Sequence, residues 1–235
     1  MTEVGVIGAG RMGQPIIGHL VRKGFRTQVY DIDAGKRASV QQRGAQWAAD
    51  LASLAAASDA MLVCVGYDEE LRALFPQLAP AARSGAIVAV LSTVHPKTVQ
   101  DLAAGYAGLT VVDATMCRGG RAADEGTLLC FVGGEPATIE RLRPVLGAFA
   151  SDIVHTGAVG SAQAAKAANN LILWACLVAD HEAQLFNYMR IARQQVGYLL
   201  NFGKKGELEW KRFILSDLHR KQNGGPIVPN ALSIH

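Results

Sequence analysis

The feature that most narrows what this chain can fold into is a glycine-rich turn set between a short apolar strand and an amphipathic helix. Val4 to Ile7 reads as a buried strand, Gly8-Ala9-Gly10-Arg11-Met12-Gly13 as the turn, and Ile16, Ile17, Leu20 and Val21 as the buried stripe of a helix. A second strand, Thr27 to Tyr30, ends in Asp31, eighteen residues past the last glycine. In this setting each glycine has a job. Gly8 makes the tight turn, Gly10 lets a pyrophosphate approach the backbone, and Gly13 lets helix and strand pack closely. The helix N-terminus supplies amide hydrogens and a partial positive charge to the phosphates. Asp31 can accept hydrogen bonds from both ribose hydroxyls and would repel a 2′-phosphate. That favours NAD over NADP, although Arg37 lies near enough in sequence to weaken the preference.

Strand and helix patterns then alternate: strands at 60–65, 86–91, 109–112, 127–132 and 152–155, with helices at 69–75, 96–104 and 136–149 between them. This predicts an α/β doubly wound parallel sheet, in which ligands bind beyond the carboxyl ends of the strands. Val65 and the loops 66–67, 92–93 and 113–126 fall at those ends. From Gly160 to about Arg190 the chain reads as one long helix, with Ser161 as a plausible N-cap. Lys166 and Asn170 lie four apart on one face, with Asn169 one position round. An ammonium beside a carboxamide can hold a hydroxyl and move its proton.

Composition bounds the alternatives. Half of the 235 residues are hydrophobic and 18% are charged, which excludes a disordered chain. The longest apolar run, Leu171 to Ala179, is far short of the roughly 20 residues that cross a bilayer. Four cysteines without a C-x-x-C pair suggest reduced thiols in the cytoplasm. The net charge of +3 conceals a surplus of five positive charges from Arg190 onward. That basic tail is either a solvated face or a contact for a polyanion. His95 and His155 lack metal-ligand spacing, and no metal is expected.

Four signatures in order make residues 1 to about 185 resemble the β-hydroxyacid dehydrogenase family, which includes 3-hydroxyisobutyrate dehydrogenase and 6-phosphogluconate dehydrogenase. They are Gly8-x-Gly10-x-Met12-Gly13; Ser92-Thr93-x-x-Pro96; Asp113-Ala114 through Gly119 to Gly126-Thr127-Leu128; and Gly157-x-x-Gly160 followed by Lys166-x-x-x-Asn170. The resemblance implies a Rossmann domain over 1–160 and a dinucleotide held by Gly8, Gly10, Arg11, Met12, Gly13, Asp31, Val65, Ser92 and Thr93. It implies Lys166 as general acid/base, Asn170 on the reacting oxygen, and Asn169 as its support. Residues 117–119 would bind a substrate carboxylate through backbone amides. The substrate would be a small hydroxyacid or its carbonyl form, and the assembly a homodimer. Departures are Thr115-Met116 for Pro-Val, Cys117 for Ser, Arg118 for Gly, and Ala162 for a third glycine. Cys117 reads as a substrate contact, and Arg118 either pairs with a carboxylate or lies on the surface.

The family pattern fades after Asp180-His-Glu-Ala183. Beyond it, 196–202 and 208–215 read as a hairpin across Gly203-Lys-Lys-Gly206. This part resembles the C-terminal portion of GxxExxY proteins, whose fold is similar to PD-(D/E)XK nucleases, through Gln184-x-x-x-Tyr188, Val196 to Gly203 and Trp210-Lys-Arg-Phe213. The metal-binding D…E-x-K strands are missing, so no nuclease activity is expected. The expected organisation is a Rossmann domain (1–160), a long helix (161–190) and a basic hairpin tail (191–235), joined as a fusion. Two functions follow as expectations: a hydroxyacid dehydrogenase with a truncated substrate half, or an inactive dinucleotide-binding fusion whose tail touches a partner or nucleic acid.

Overall fold

The computed structural model describes residues 2–176, 196–201 and 209–214. The chain divides into two units, Met1–Leu173 and Trp174–His235. The first contains β1 (Glu3–Ile7), α1 (Gly13–Arg22), β2 (Arg26–Tyr30), α2 (Arg37–Gln42), β3 (Gln46–Trp47), α3 (Leu51–Ala57), β4 (Ala60–Val63), α4 (Asp68–Leu78) and β5 (Ile87–Val90). It continues with α5 (Pro96–Gly105), β6 (Thr110–Cys117), α6 (Gly119–Glu125), β7 (Leu128–Gly133), α7 (Pro136–Leu146), β8 (Ala150–Gly157) and α8 (Ser161–Cys176) as far as Leu173. The strands form one sheet in the order β3-β2-β1-β4-β5-β6-β7-β8.

Both faces of the sheet are covered, as an apolar strand such as Ala60-Met-Leu-Val63 requires. Side chains alternate across it. Ala60 and Leu62 pack with Ile16, Ile17 and Leu20 of α1 and Leu142 of α7. Met61 and Val63 pack with Leu54 of α3, Leu71 and Phe75 of α4, and Val99 of α5. Each of these large side chains contributes about 1.5–3 kcal/mol by leaving water. β1 pairs in parallel with both β2 and β4. The chain order therefore reverses at β1, which opens a crevice beyond its carboxyl end.

The structure corrects the sequence reading at β6. The segment 113–126, expected as a loop, is strand as far as Cys117 and helix from Gly119. β6 and β7 also pair antiparallel, so the sheet is not wholly parallel. The connection 118–127 is shorter than the dozen or so residues a parallel crossover needs, which forces the reversal.

Ser161 is not what caps α8. The cap comes from β6: Asp113 is fully buried, its Oδ1 accepts the Gly160 amide at 2.8 Å, and its Oδ2 accepts the Gln163 amide at 2.9 Å. Burial raises the Asp113 pKa, and these amides offset part of that. Ser161 Oγ instead meets Thr156 Oγ at 2.8 Å.

In the second unit, β9 (Val196–Asn201) and β10 (Glu209–Ile214) pair antiparallel, with Trp210 opposite Leu200. The remainder of the expected long helix beyond Cys176, the 203–206 turn and the last dozen residues lie outside the described residues.

Candidate active site

The crevice beyond β1 and β4 contains two cavities that share Gly10, Cys64, Val65 and Gly66. One, of about 400 Å³, is lined by Gly8, Tyr30, Asp31, Ile32, Lys36 and Leu74 among others. The second, of about 440 Å³, carries Arg11, Met12, Gly13, Ser92, Thr93, Met116, Gly119 and Lys166. The glycine loop therefore floors both halves of one groove.

The three glycines do different things. Gly8 has φ +98, and a Cβ there would run into the Cys64 carbonyl oxygen. A Cβ on Gly13 would strike the Gly8 carbonyl oxygen. These two are demanded by the protein's own backbone. A Cβ on Gly10 meets nothing within 4 Å, because that position faces the groove. Bare backbone at the start of α1, opening onto empty space, fits a pyrophosphate.

Asp31 is 8% exposed and already engaged. Oδ2 accepts the Ala9 amide at 2.7 Å and Lys36 Nζ at 3.0 Å; Oδ1 accepts the Asp33 amide at 2.9 Å and Lys36 Nζ at 3.1 Å. Both oxygens can still turn to a ribose hydroxyl if Lys36 yields. The cation in this half of the groove is Lys36, where the sequence reading looked to Arg37. Burial alone would raise the Asp31 pKa, but the Asp33 and Ala9 amides and the Lys36 ammonium outweigh it and hold it below the ordinary 3.8. A lowered folded-state pKa gives stability that is complete above the unfolded value and lost as pH falls through the folded one. Melting curves taken below pH 3.8 should therefore fall less steeply for Asp31→Asn than for the parent chain. An equally steep acid limb would remove Asp31 as a contributor.

At the other end of the groove Ser92 is 6% exposed and serves the protein. Its Oγ accepts the Val65 amide at 2.8 Å and donates to the Val63 carbonyl at 3.3 Å. It shapes the pocket, while Thr93 is exposed on its wall.

Lys166 is half-buried on the second turn of α8, and its Nζ donates to Cys117 Sγ at 3.7 Å. Cys117 ends β6 and is 3% exposed. Burial raises its thiol pKa despite the neighbouring Lys166 and Arg118 charges, so it is a protonated thiol at neutral pH. Cys64 and Cys130 are pushed up to about 12 by burial. Further along α8, Asn169 Nδ2 is buried with no hydrogen-bond partner, a donor that costs about 1–3 kcal/mol if left unpaired. Asn170, the next residue, is half-buried.

Arg118 is directed elsewhere. Its guanidinium donates to the Thr127 carbonyl at 3.0 Å and to Ser151 Oγ at 2.9 Å, and pairs with Asp152 at 2.7 Å. Both alternatives open in the sequence hold at once: Arg118 is exposed, and the carboxylate it meets is the protein's own Asp152. Its backbone has φ +79, the left-handed region that suits the glycine usual there. Arg118→Gly and Arg118→Ala lose the same side-chain bonds and differ in that strain. The glycine variant should be the more stable by about 1 kcal/mol in urea titrations, and equal stabilities would mean the turn is unstrained.

Gln163 escaped the sequence reading. It is 1% exposed, its Oε1 accepts the Val94 amide at 3.0 Å, and its Nε2 donates to the Ser92 carbonyl at 2.8 Å. Nothing in an alanine-rich stretch distinguishes it, because its partners lie 69 and 71 residues away.

Residues 3–157 match the family described as the NAD-binding domain of 6-phosphogluconate dehydrogenase, and residues 170–213 match the PD-(D/E)XK nuclease superfamily. A 2-(hydroxymethyl)glutarate dehydrogenase of Eubacterium barkeri is 31% identical over 77% of the chain and 62% of its own length. An uncharacterized oxidoreductase of Synechocystis is 30% identical over the whole chain and 82% of its own. The structure of 3-hydroxyisobutyrate dehydrogenase from Mycobacterium tuberculosis, solved with L-serine, superposes with a TM-score of 0.72. It is 29% identical over 74% of this chain and 61% of that one. The chain thus spans about three-fifths of the first and last of these proteins.

Proposed function

The chain belongs to the family of the NAD-binding domain of 6-phosphogluconate dehydrogenase, and from that premise we propose that it interconverts a small 3-hydroxyacid and its carbonyl form. The observation that carries this reading is Lys166, whose side chain lines the same cavity as Gly10, Ser92 and Thr93. The cofactor, when bound, supplies or accepts the hydride. The glycine loop and Arg11 would hold its phosphates and Asp31 its ribose, with Thr93 and Val65 available to its nicotinamide. NAD is the cofactor, and Lys36 leaves room for NADP.

Lys166 gives a proton to the nascent alkoxide during reduction and draws one from the hydroxyl during oxidation. Asn170 holds the same oxygen, and Asn169, whose Nδ2 is buried, supports it from within the helix. Cys117, a protonated thiol against Lys166, keeps the ammonium aimed along the groove without neutralising it. The backbone of Gly119 lies on the same wall and is available to a carboxylate.

The substrate class is supported by the relatives: 2-(hydroxymethyl)glutarate, 3-hydroxyisobutyrate and L-serine each carry a hydroxyl two carbons from a carboxylate. A homodimer belongs to the same reading, because Leu171 on α8 is 50% exposed. Size-exclusion chromatography with light scattering checks this, and a monomer mass would exclude the dimer. The match at 170–213 favours a second reading, a dinucleotide-binding fusion without turnover. Thermal melts with NADH and NADPH, followed by turnover of the three acids, separate the two. Stabilisation with turnover supports the dehydrogenase, and stabilisation alone supports the fusion. No stabilisation by either nucleotide would defeat both.

A further inference from the structure

We propose that Gln163 is a positioning residue that ties the Ser92–Val94 loop to the helical turn carrying Lys166, so that cofactor and proton donor are held at one separation. The inference rests on the hydroxyacid reading. Its physical basis is a two-point clamp. One carboxamide accepts from the Val94 amide at 3.0 Å and donates to the Ser92 carbonyl at 2.8 Å, bridging the backbone of residues i and i+2 as a neighbouring strand would. Among the described residues, the other hydrogen bonds that tie this loop to elements besides α5 run to the cofactor side. Ser92 Oγ accepts the Val65 amide at 2.8 Å, and the His95 amide donates to Asp68 Oδ1 at 3.1 Å.

Gln163 is itself anchored through its amide to Asp113 Oδ2 at 2.9 Å, and it is buried to 1% exposure. Lys166 follows three residues later, on the next turn of the same helix. A shift of the loop on cofactor binding is therefore passed to α8 through this side chain. The chemistry needs one donor and one acceptor on a long arm, which among side chains is glutamine. Glutamate would set an acceptor against the Ser92 carbonyl, and methionine would leave both backbone groups unpaired.

Hydrogen–deuterium exchange on the full chain, with and without saturating NADH, reads the coupling directly. In the parent chain NADH should slow exchange about tenfold in both 92–98 and 161–170. In Gln163→Met the slowing should persist in 92–98 and fall below about twofold in 161–170. Turnover should drop by about 10–100-fold with the KM for NADH nearly unchanged, since a merely structural loss would weaken cofactor binding as well. Should Gln163→Met fail to fold, Gln163→Glu, which keeps the acceptor for the Val94 amide, makes the same comparison. Undiminished protection of 161–170 in the folded variant overturns the proposal, as does absence of that protection in the parent. Failure of the hydroxyacid reading would look different: no Lys166-dependent turnover in the parent, with the exchange pattern intact.

Discussion

On the proposed dehydrogenase reading, replacing Lys166 with alanine should lower the turnover of a 3-hydroxyacid by about 10²–10⁴-fold, the range in which a positioned proton donor acts. NADH affinity should stay within about threefold, because in this proposal the ammonium serves the substrate oxygen and not the nucleotide. The size of the effect follows from the setting. Lys166 is half-buried, is within 3.7 Å of a thiol that remains protonated, and shares a cavity wall with Thr93. Without the amine, an alkoxide would form beside the nicotinamide with no proton source except water. Steady-state rates and NADH fluorescence titrations on the two proteins decide the matter. If the alanine variant turns over as fast as the parent, Lys166 has no part in proton transfer.

A second large effect separates glycines that look alike in the sequence. Gly13→Ala places a methyl group on the Gly8 carbonyl oxygen, a collision between two backbones in the floor of the site that no rotamer relieves. A cost of about 3 kcal/mol would lower the melting temperature by about 6–12 °C in a chain of this size. Gly10→Ala meets no protein atom within 4 Å, so it should fold like the parent. It should nevertheless weaken NADH by about tenfold or more, or about 1.4 kcal/mol, because its methyl group stands where the pyrophosphate approaches. Differential scanning calorimetry and NADH titration of both variants test the contrast. A destabilised Gly10→Ala, or a Gly13→Ala that melts with the parent, would break the division of labour.

What could be read from the chain was whatever is encoded by neighbours. The strand–glycine–helix opening, the acid at the end of β2, and the Lys166–Asn170 spacing are local patterns whose geometry follows from helix and strand periodicity. The hairpin strands at 196–201 and 209–214 were visible for the same reason, as two β-rich runs around a short polar turn. The limits of local reading show at β6. Its last residues, Thr115-Met116-Cys117, lie in a stretch whose motif reads as loop. They become strand because β7 pairs with them in antiparallel register, Met116 opposite Cys130.

The amino-acid sequence by itself determined the class of fold and the nucleotide loop, because each is written within a turn or two of chain. Only the tertiary structure decided how they are held. Asp113, not Ser161, caps α8; Lys36, not Arg37, meets Asp31; Arg118 turns to Asp152; and Gln163 clasps a loop some seventy residues before it. Each of those partners is chosen by which buried donor and acceptor the packed sheet brings within reach, and that distance exists only once the chain has closed on itself.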